Sequence, residues 1–264
     1  MPEDFITSNE AAGRLQRAQA ADDLRPAGSV GVSPGGGLVK EPHEYPVILR
    51  VLVGSRAHGL HREDSDYDYR EVFIIPTREL VLERVTRPHI KKGWAVVDKY
   101  GDDEGGHEVG DFLRMCLAGH PNALELLVAP VAAAQYDGLE LRKLLPALLS
   151  APAVRKAYLG YADNAFRKAR NGEGRNKLRT YLRSLYVGQH LLETGELLCD
   201  MTKEPGELID ALRRADEGGM NVAEALIRGE PWEIAIREGS SVLPDKPDIE
   251  RIEHYLRTLR SAQW

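Results

Sequence analysis

Two apolar runs separated by a polar gap dominate the first half of the chain. Residues 47–53 form a nearly continuous, β-branched run that stops at Gly54-Ser55, and residues 72–75 form a second, preceded by Asp66-Tyr67-Asp68. Runs of this length, bounded by glycine or acidic residues, predict buried strands. The stretch reads as a strand, a Gly-Ser turn, a brief helix or loop, and a second strand with acids at its start. Further on, 94–97 predicts a short strand, and 101–106 (GDDEGG) an acidic, glycine-rich turn or strand edge. Val109, Phe112, Leu113, Cys116 and Leu117 recur at helical spacing from Glu108 onward. Gly119-His120-Pro121-Asn122 breaks that helix, and 123–128 predicts another.

Beyond Pro130 the periodicity is almost wholly helical. Helices are expected over 139–149, 154–170, 176–194, 204–216, 221–227, 231–238 and 248–259. The clearest, 176–194, carries an inner stripe of Leu178, Tyr181, Leu182, Leu185, Gln189 and Leu192, with Gly195 as its stop. At the other end, 8–24 predicts a polar, Ala-rich helix. The segment 25–46 holds too many Gly and Pro for regular structure, and its triple glycine is followed by Leu38 rather than Lys-Ser, so no phosphate-loop motif is present. The fold class expected is α/β (α+β): a flexible lead-in over 1–44, a small mixed-sheet head over 45–132, and an α-helical domain over 133–264.

Composition narrows the classes without choosing among them. The chain has 264 residues and a net charge of −6, so no whole-molecule field draws it to nucleic acid or to a membrane surface. Its 2 cysteines, Cys116 and Cys199, are in no metal or redox spacing, which suits a reducing compartment. No run approaches a membrane span, and the first residues lack a signal-peptide core. A cytoplasmic protein without a membrane partner is expected.

Chemistry concentrates at Asp66 and Asp68. On a strand, residues i and i+2 face the same way about 7 Å apart, so these two carboxylates share a face beside a glycine turn. Close like charges repel unless a cation lies between them, and hard oxygen ligands suit Mg²⁺ or Mn²⁺. Rival motifs fail on spacing. Asp64, Asp66 and Asp68 fit positions 1, 3 and 5 of a calcium loop, but Tyr69 and Ile75 stand where it needs Gly and Glu. His58 and His61 lack a second pair at zinc-ligand spacing. Ser55 directly follows Gly54, unlike a hydrolase nucleophile elbow. A second concentration is basic: Arg167, Lys168, Arg170, Arg175, Lys177, Arg179 and Arg183 lie between Asn164 and His190, against at most two acids. A solvated helix face explains the first three as well as a site does.

GSRAHGLHREDSDYDYREVFIIP resembles the signature of the DNA polymerase beta-like nucleotidyltransferase superfamily: a Gly-Ser turn, then roughly ten residues on, an Asp-x-Asp strand. It is most similar to stand-alone predicted nucleotidyltransferases of microbes and their viruses. In that group an acidic strand, a helix and an Asn-Pro-x-x-x-Glu-Leu-like turn follow. Their counterparts here are residues 103–108, Phe112-Leu113, and GHPNALELL at 119–127, departing from the pattern at His120. A Lys-x-x-x-Tyr-x-Arg helix at 177–183 matches more loosely.

The resemblance implies a Mg²⁺-dependent transfer of a nucleoside monophosphate from a nucleoside triphosphate to a hydroxyl, releasing pyrophosphate. Gly54 and Ser55 would approach the β- and γ-phosphates. Asp66 and Asp68 would hold two Mg²⁺ (or Mn²⁺) ions, about 3.5–4 Å apart in two-metal sites. A third carboxylate is expected on a neighbouring strand as metal ligand or base, with Asp103 and Glu108 as the two choices. Arg56, Lys177 and Arg183 would neutralise the triphosphate. The acceptor is a protein side chain, an RNA 3′ end or a small molecule, low basicity weighing against a long nucleic acid. The alternative is a non-catalytic nucleotide-binding or antitoxin-like regulator of the same fold. Oligomeric state is not legible.

Overall fold

The computed structural model describes residues 45–86, 97–98, 104–174 and 176–262. The expected helix at 8–24, most of the strand at 94–97, and Asp103 and Arg175 lie outside the described residues. Lys40–Trp264 forms one unit. Its centre is a five-stranded mixed sheet in the order β3-β4-β2-β1-β5. β1 (Val47–Val53) and β2 (Asp68–Phe73) pair antiparallel, with Val53 opposite Asp68 and Val51 opposite Arg70. β4 (Glu104–Glu108) runs parallel to β2, with Glu104 opposite Tyr69 and Glu108 opposite Phe73. β3 (Val97–Asp98) and β5 (Val131–Ala134) pair antiparallel at the two edges. β5 straddles the boundary expected at 132/133, and its VAAA sequence has little of the bulk that marks a strand.

Alternation along β2 turns Asp68, Arg70 and Val72 to one face and Tyr69, Glu71 and Phe73 to the other. The first face meets the core: Val72, and Val51 and Leu49 on β1, are fully buried. The second carries an Arg50–Glu71 ion pair at 3.7 Å, with the Arg50 guanidinium 4.6 Å above the Tyr69 ring. Between β1 and β2 runs a single turn, α1 (Gly54–Ala57).

The helices after β4 pack on the core face and share one apolar core with the sheet, from Ile48 to Leu259, while Leu80, after β2, packs against a second cluster of Tyr45, Phe73 and Ile75. α2 (Thr77–Thr86) follows β2, and α3 (Val109–Leu117) buries Val109, Phe112, Leu113 and Cys116, four of the five positions expected from the sequence. Pro121 opens α4 (Pro121–Leu126), where a missing N–H costs nothing. α5 (Tyr136–Arg142) and α6 (Leu145–Leu148) lead to α7 (Ala151–Arg170), which packs along α8 (Lys177–Thr194).

α8 ends at Gly195 in the left-handed conformation (φ 77°), as expected, but its inner face differs from the expected stripe in one place. Gln189 points outward to Glu193, and Gly188 and Leu191 are buried instead. α9 (Gly206–Glu217) follows. The two helices expected over 221–227 and 231–238 are one, α10 (Val222–Glu238), with Pro231 inside it. Pro231 removes one backbone donor, yet Ala225, Gly229 and Ile236 are buried along the helix, and that packing holds it continuous. α11 (Ile249–Ser261), capped by the Asp248 side chain on Arg251 N at 3.1 Å, is the last helix.

Candidate active site

The first strand pair, by its shape, opens a cleft at one end. At Gly54 the chain leaves β1 with φ 74°, so a left-handed residue starts the turn. A Cβ at that position would lie 2.3 Å from Asp68 Oδ2; only glycine lets the turn sit against the first carboxylate of β2. Gly54, Ser55, Asp66 and Asp68 all line a cleft of 960 Å³, together with Asp64, Arg62, Asn176, Arg179, Asp216, Glu217 and Gly218. Four residues expected in the site thus come together. The far wall comes from the start of α8 and the end of α9, so the helical half does face the sheet's acids.

Arg56, expected on phosphate, is not among the lining residues. Its guanidinium donates to the carbonyls of Ser65 (2.6 and 2.9 Å), Asp66 (3.1 Å) and Glu63 (3.5 Å), and lies 3.9 Å over the Tyr67 ring. It braces the loop that delivers Asp66. Lys177, the first residue of α8, is half-buried and also outside the lining. Arg179, two residues on, takes the place in the cleft that was expected for Lys177.

Arg183 is buried and pairs with Glu125 of α4 at 2.6 Å; Glu125 also accepts from His58 Nε2 at 2.8 Å. Burial raises the Glu125 carboxyl, but Arg183 and then His58 outweigh it and hold it well below the usual carboxylate range. Burial, then the Arg183 charge, pushes His58 below its ordinary value, so it is a neutral imidazole donating Nε2–H. The Glu of the GHPNALELL turn and the Arg of the Lys-x-x-x-Tyr-x-Arg helix are therefore one buried pair, placed behind the Gly-Ser turn rather than on a ligand. Cys199 Sγ lies within 4.8 Å of the His58 and Glu125 ligand atoms. Burial pushes its thiol up to about 12, and Arg183 already supplies the positive charge there.

The two choices for the third carboxylate separate. Glu108 is opposite Phe73, five residues along β2 from Asp68, about 16 Å at strand rise, and on the opposite face. Its side chain caps α3 by accepting from Gly110 N at 2.7 Å and pairs with Arg260. It serves the fold, not the cleft. β4 begins with Glu104 opposite Tyr69, at the Asp68 end of the sheet; Asp103, the preceding residue, lies outside the described residues.

Residues missed from the sequence are Asp216 and Glu217, and Arg179 was only one of seven cations. The available signal was Arg179's place on the inner half of α8, next to Leu178 and one turn before Arg183, where a solvated arginine does not belong. Nothing in spacing links it to Asp216. Among the described residues no helix is long and apolar enough to cross a membrane.

A short stretch resembles an uncharacterised 38.9 kDa protein from the nrdC-mobD intergenic region of Enterobacteria phage T4, 27% identical over 86 residues. That alignment covers 31% of this chain and 26% of the phage protein, so the chain matches about a quarter of its relative's length. No solved structure matches. The model of the RNA repair pathway DNA polymerase beta family (RlaP) matches residues 38–258, across both the sheet and the helices. The cleft with its Gly-Ser turn and paired aspartates lies inside that span, and the chain belongs to this polymerase beta-like nucleotidyltransferase family.

Proposed function

We propose that the chain transfers a nucleoside monophosphate from a nucleoside triphosphate to a hydroxyl, and that the hydroxyl is an RNA end. One observation carries the reading: Gly54, Ser55, Asp66 and Asp68 line one cleft with Arg62 and Arg179 on its walls. The hydroxyl oxygen forms a bond to the α-phosphorus as the bond to the bridging oxygen of pyrophosphate breaks, and the hydroxyl proton passes to a base. The family's description, an RNA repair pathway, supports an RNA end over a protein side chain or small molecule.

The donor set fits divalent ions. Five carboxylates (Asp64, Asp66, Asp68, Asp216, Glu217) line the cleft against two arginines, an excess of negative charge that would repel a bare triphosphate. Asp66 and Asp68 would hold Mg²⁺ or Mn²⁺, as a pair of ions, which supplies charge neutralisation to the attacking and leaving oxygens. The chain's own groups bind and orient. Gly54 allows close backbone approach to phosphate oxygens, Ser55 donates a hydrogen bond, and Arg179 and Arg62 balance the leaving pyrophosphate. Arg56 keeps the Asp66 loop in register. Asp103 is the proposed third carboxylate and base, because it directly precedes the end of β4 that pairs beside Asp68.

The test uses each α-³²P-labelled nucleoside triphosphate with Mg²⁺ and a short RNA bearing a free 3′ hydroxyl, beside protein and small-molecule fractions of a cell extract. Label should pass to the RNA and fall by more than about a hundredfold in Asp66→Asn/Asp68→Asn. Tight nucleotide binding with no transfer to any acceptor would sink the enzyme reading and leave a nucleotide-binding regulator.

A further inference from the structure

The cleft's two arginines are already engaged by one carboxylate. Asp216 Oδ1 lies 3.0 Å from Arg179 Nη1, and Asp216 Oδ2 lies 3.5 Å from Arg62 Nη2. Arg62 belongs to the loop between the Gly-Ser turn and the Asp-x-Asp strand, Arg179 to α8, and Asp216 to the last turn of α9. One side chain therefore joins three segments across the cleft. The same three residues also line a smaller hollow of 160 Å³ beside it, so the bridge forms part of the wall between the two spaces.

The bridge is badly placed as a stabilising device. Asp216 and Glu217 are the final residues of α9, where the helix dipole presents its negative end and disfavours carboxylates. Arg62 is about half exposed (53%) and meets Asp216 at a long distance, the geometry of a weak and exchangeable pair. Arg179 is the opposite, 13% exposed and held close. A buried arginine needs an anion, and Asp216 is the anion that the protein supplies.

We propose that Asp216 is a built-in competitor for the triphosphate: it holds Arg62 and Arg179 until the phosphate chain of the nucleotide displaces it. This rests on the reading of the cleft as a nucleoside triphosphate site. Phosphate oxygens offer the arginines more charge and bidentate geometry than one carboxylate. On binding, Arg179 and Arg62 pass from carboxylate to phosphate, and the Asp216 end of α9 withdraws. Ligands with one phosphate lack the charge to take both arginines and are discriminated against. Asp216 thus sets a selectivity for polyphosphate over monophosphate.

The measurement is calorimetric titration of inorganic tripolyphosphate, and separately of inorganic phosphate, into the full chain at fixed free Mg²⁺. Asp216→Asn keeps the side-chain shape and removes the charge. Tripolyphosphate should bind it about two- to fivefold tighter than wild type, the range expected for releasing a partly exposed ion pair. The preference for tripolyphosphate over phosphate should narrow. Adding Arg179→Gln should remove the gain. Unchanged or weaker tripolyphosphate binding in a folded Asp216→Asn chain overturns the proposal. So does an effect seen with nucleoside triphosphates and absent with tripolyphosphate, which would put Asp216 on the nucleoside. If Asp216→Asn does not hold its fold, the wild type decides by guanidinium NMR: tripolyphosphate should shift the Arg62 and Arg179 side-chain signals together, and static signals under saturating ligand overturn the idea. The titration involves no chemistry, so a protein that transfers no label still answers it.

Discussion

Gly54 carries two constraints at one residue, a positive φ of 74° and an ideal Cβ position 2.3 Å from Asp68 Oδ2. Gly54→Ala must therefore strain the turn and push the Asp68 carboxylate out of the cleft. Transfer should fall by more than about tenfold while stability drops by about 1–2 kcal/mol, read by label transfer and by urea unfolding of the same preparations. A turn that loses stability with unchanged transfer would mean that Asp68 is not held by this contact. At this scale Gly54, Ser55, Asp66 and Asp68 were legible because their message is local, a strand, its stop and the acids that follow, although Asp66 lies in the loop before β2 and not on the strand expected to carry both. Arg183, expected on the triphosphate, misled for the converse reason: its partner is Glu125. Each stands in a recognisable motif, but 58 residues separate them, and only folding reveals that each is the other's partner. Nor does a sequence distinguish Arg56 turned to loop carbonyls from Arg56 turned to phosphate.

Between elements, the contact of α7 with α8 is set by a missing side chain. A Cβ at Gly188 would lie 2.8 Å from the Tyr158 ring, which is itself fully buried. Gly188→Ala should separate the two helices and cost about 1–3 kcal/mol by overpacking, measured by thermal or urea unfolding; a neutral result would show that Tyr158 can move. Because α8 delivers Arg179 to the cleft and, one turn on, Arg183 to Glu125, transfer should fall as well. Helical periodicity predicted α8 and its Gly195 stop correctly, yet it favoured Gln189 over Gly188 as an inner residue, since hydrophobicity patterns have no way to register close helix approach. The split at Pro231 failed for a related reason: intrinsic propensity counts the lost donor, while burial of Gly229 against Tyr181 and of Ile236 is tertiary. β5 went unread because one valine and three alanines carry almost no strand signal.

For the whole molecule, pH is the informative variable. Burial pushes His58, His107 and His120 below their ordinary value of 6.5, with the Arg183 charge adding to the first and His120 and Arg70 to the second. The unfolded chain then binds more protons than the folded one below that value. Stability is fully present above pH 6.5 and is lost as pH falls toward the folded pKa values. Between pH 7.5 and 5.5 the unfolding free energy should drop, followed by urea midpoints across the range. His58→Gln should flatten that slope in proportion to its share. A stability that rises on acidification would contradict histidines held neutral by the fold. The Glu125 carboxyl, held low, acts in the same direction but only in a more acidic range, as pH falls below the unfolded carboxylate value and on through its folded one.

The last helix fastens the first sheet. Arg260 on α11 pairs with Glu108 and donates to the Ile75 carbonyl at 2.8 Å, and its own carbonyl accepts from Thr77 at 2.9 Å, joining residues up to 185 positions apart. During synthesis Glu108 consequently emerges from the ribosome long before the cation that neutralises it. Until residue 260 is made, Glu108 at the end of β4 has the Gly110 N–H that it caps but lacks its arginine. A chain cut short before residue 260 should therefore be cleaved more readily around β2 and β4 in limited proteolysis than the full chain.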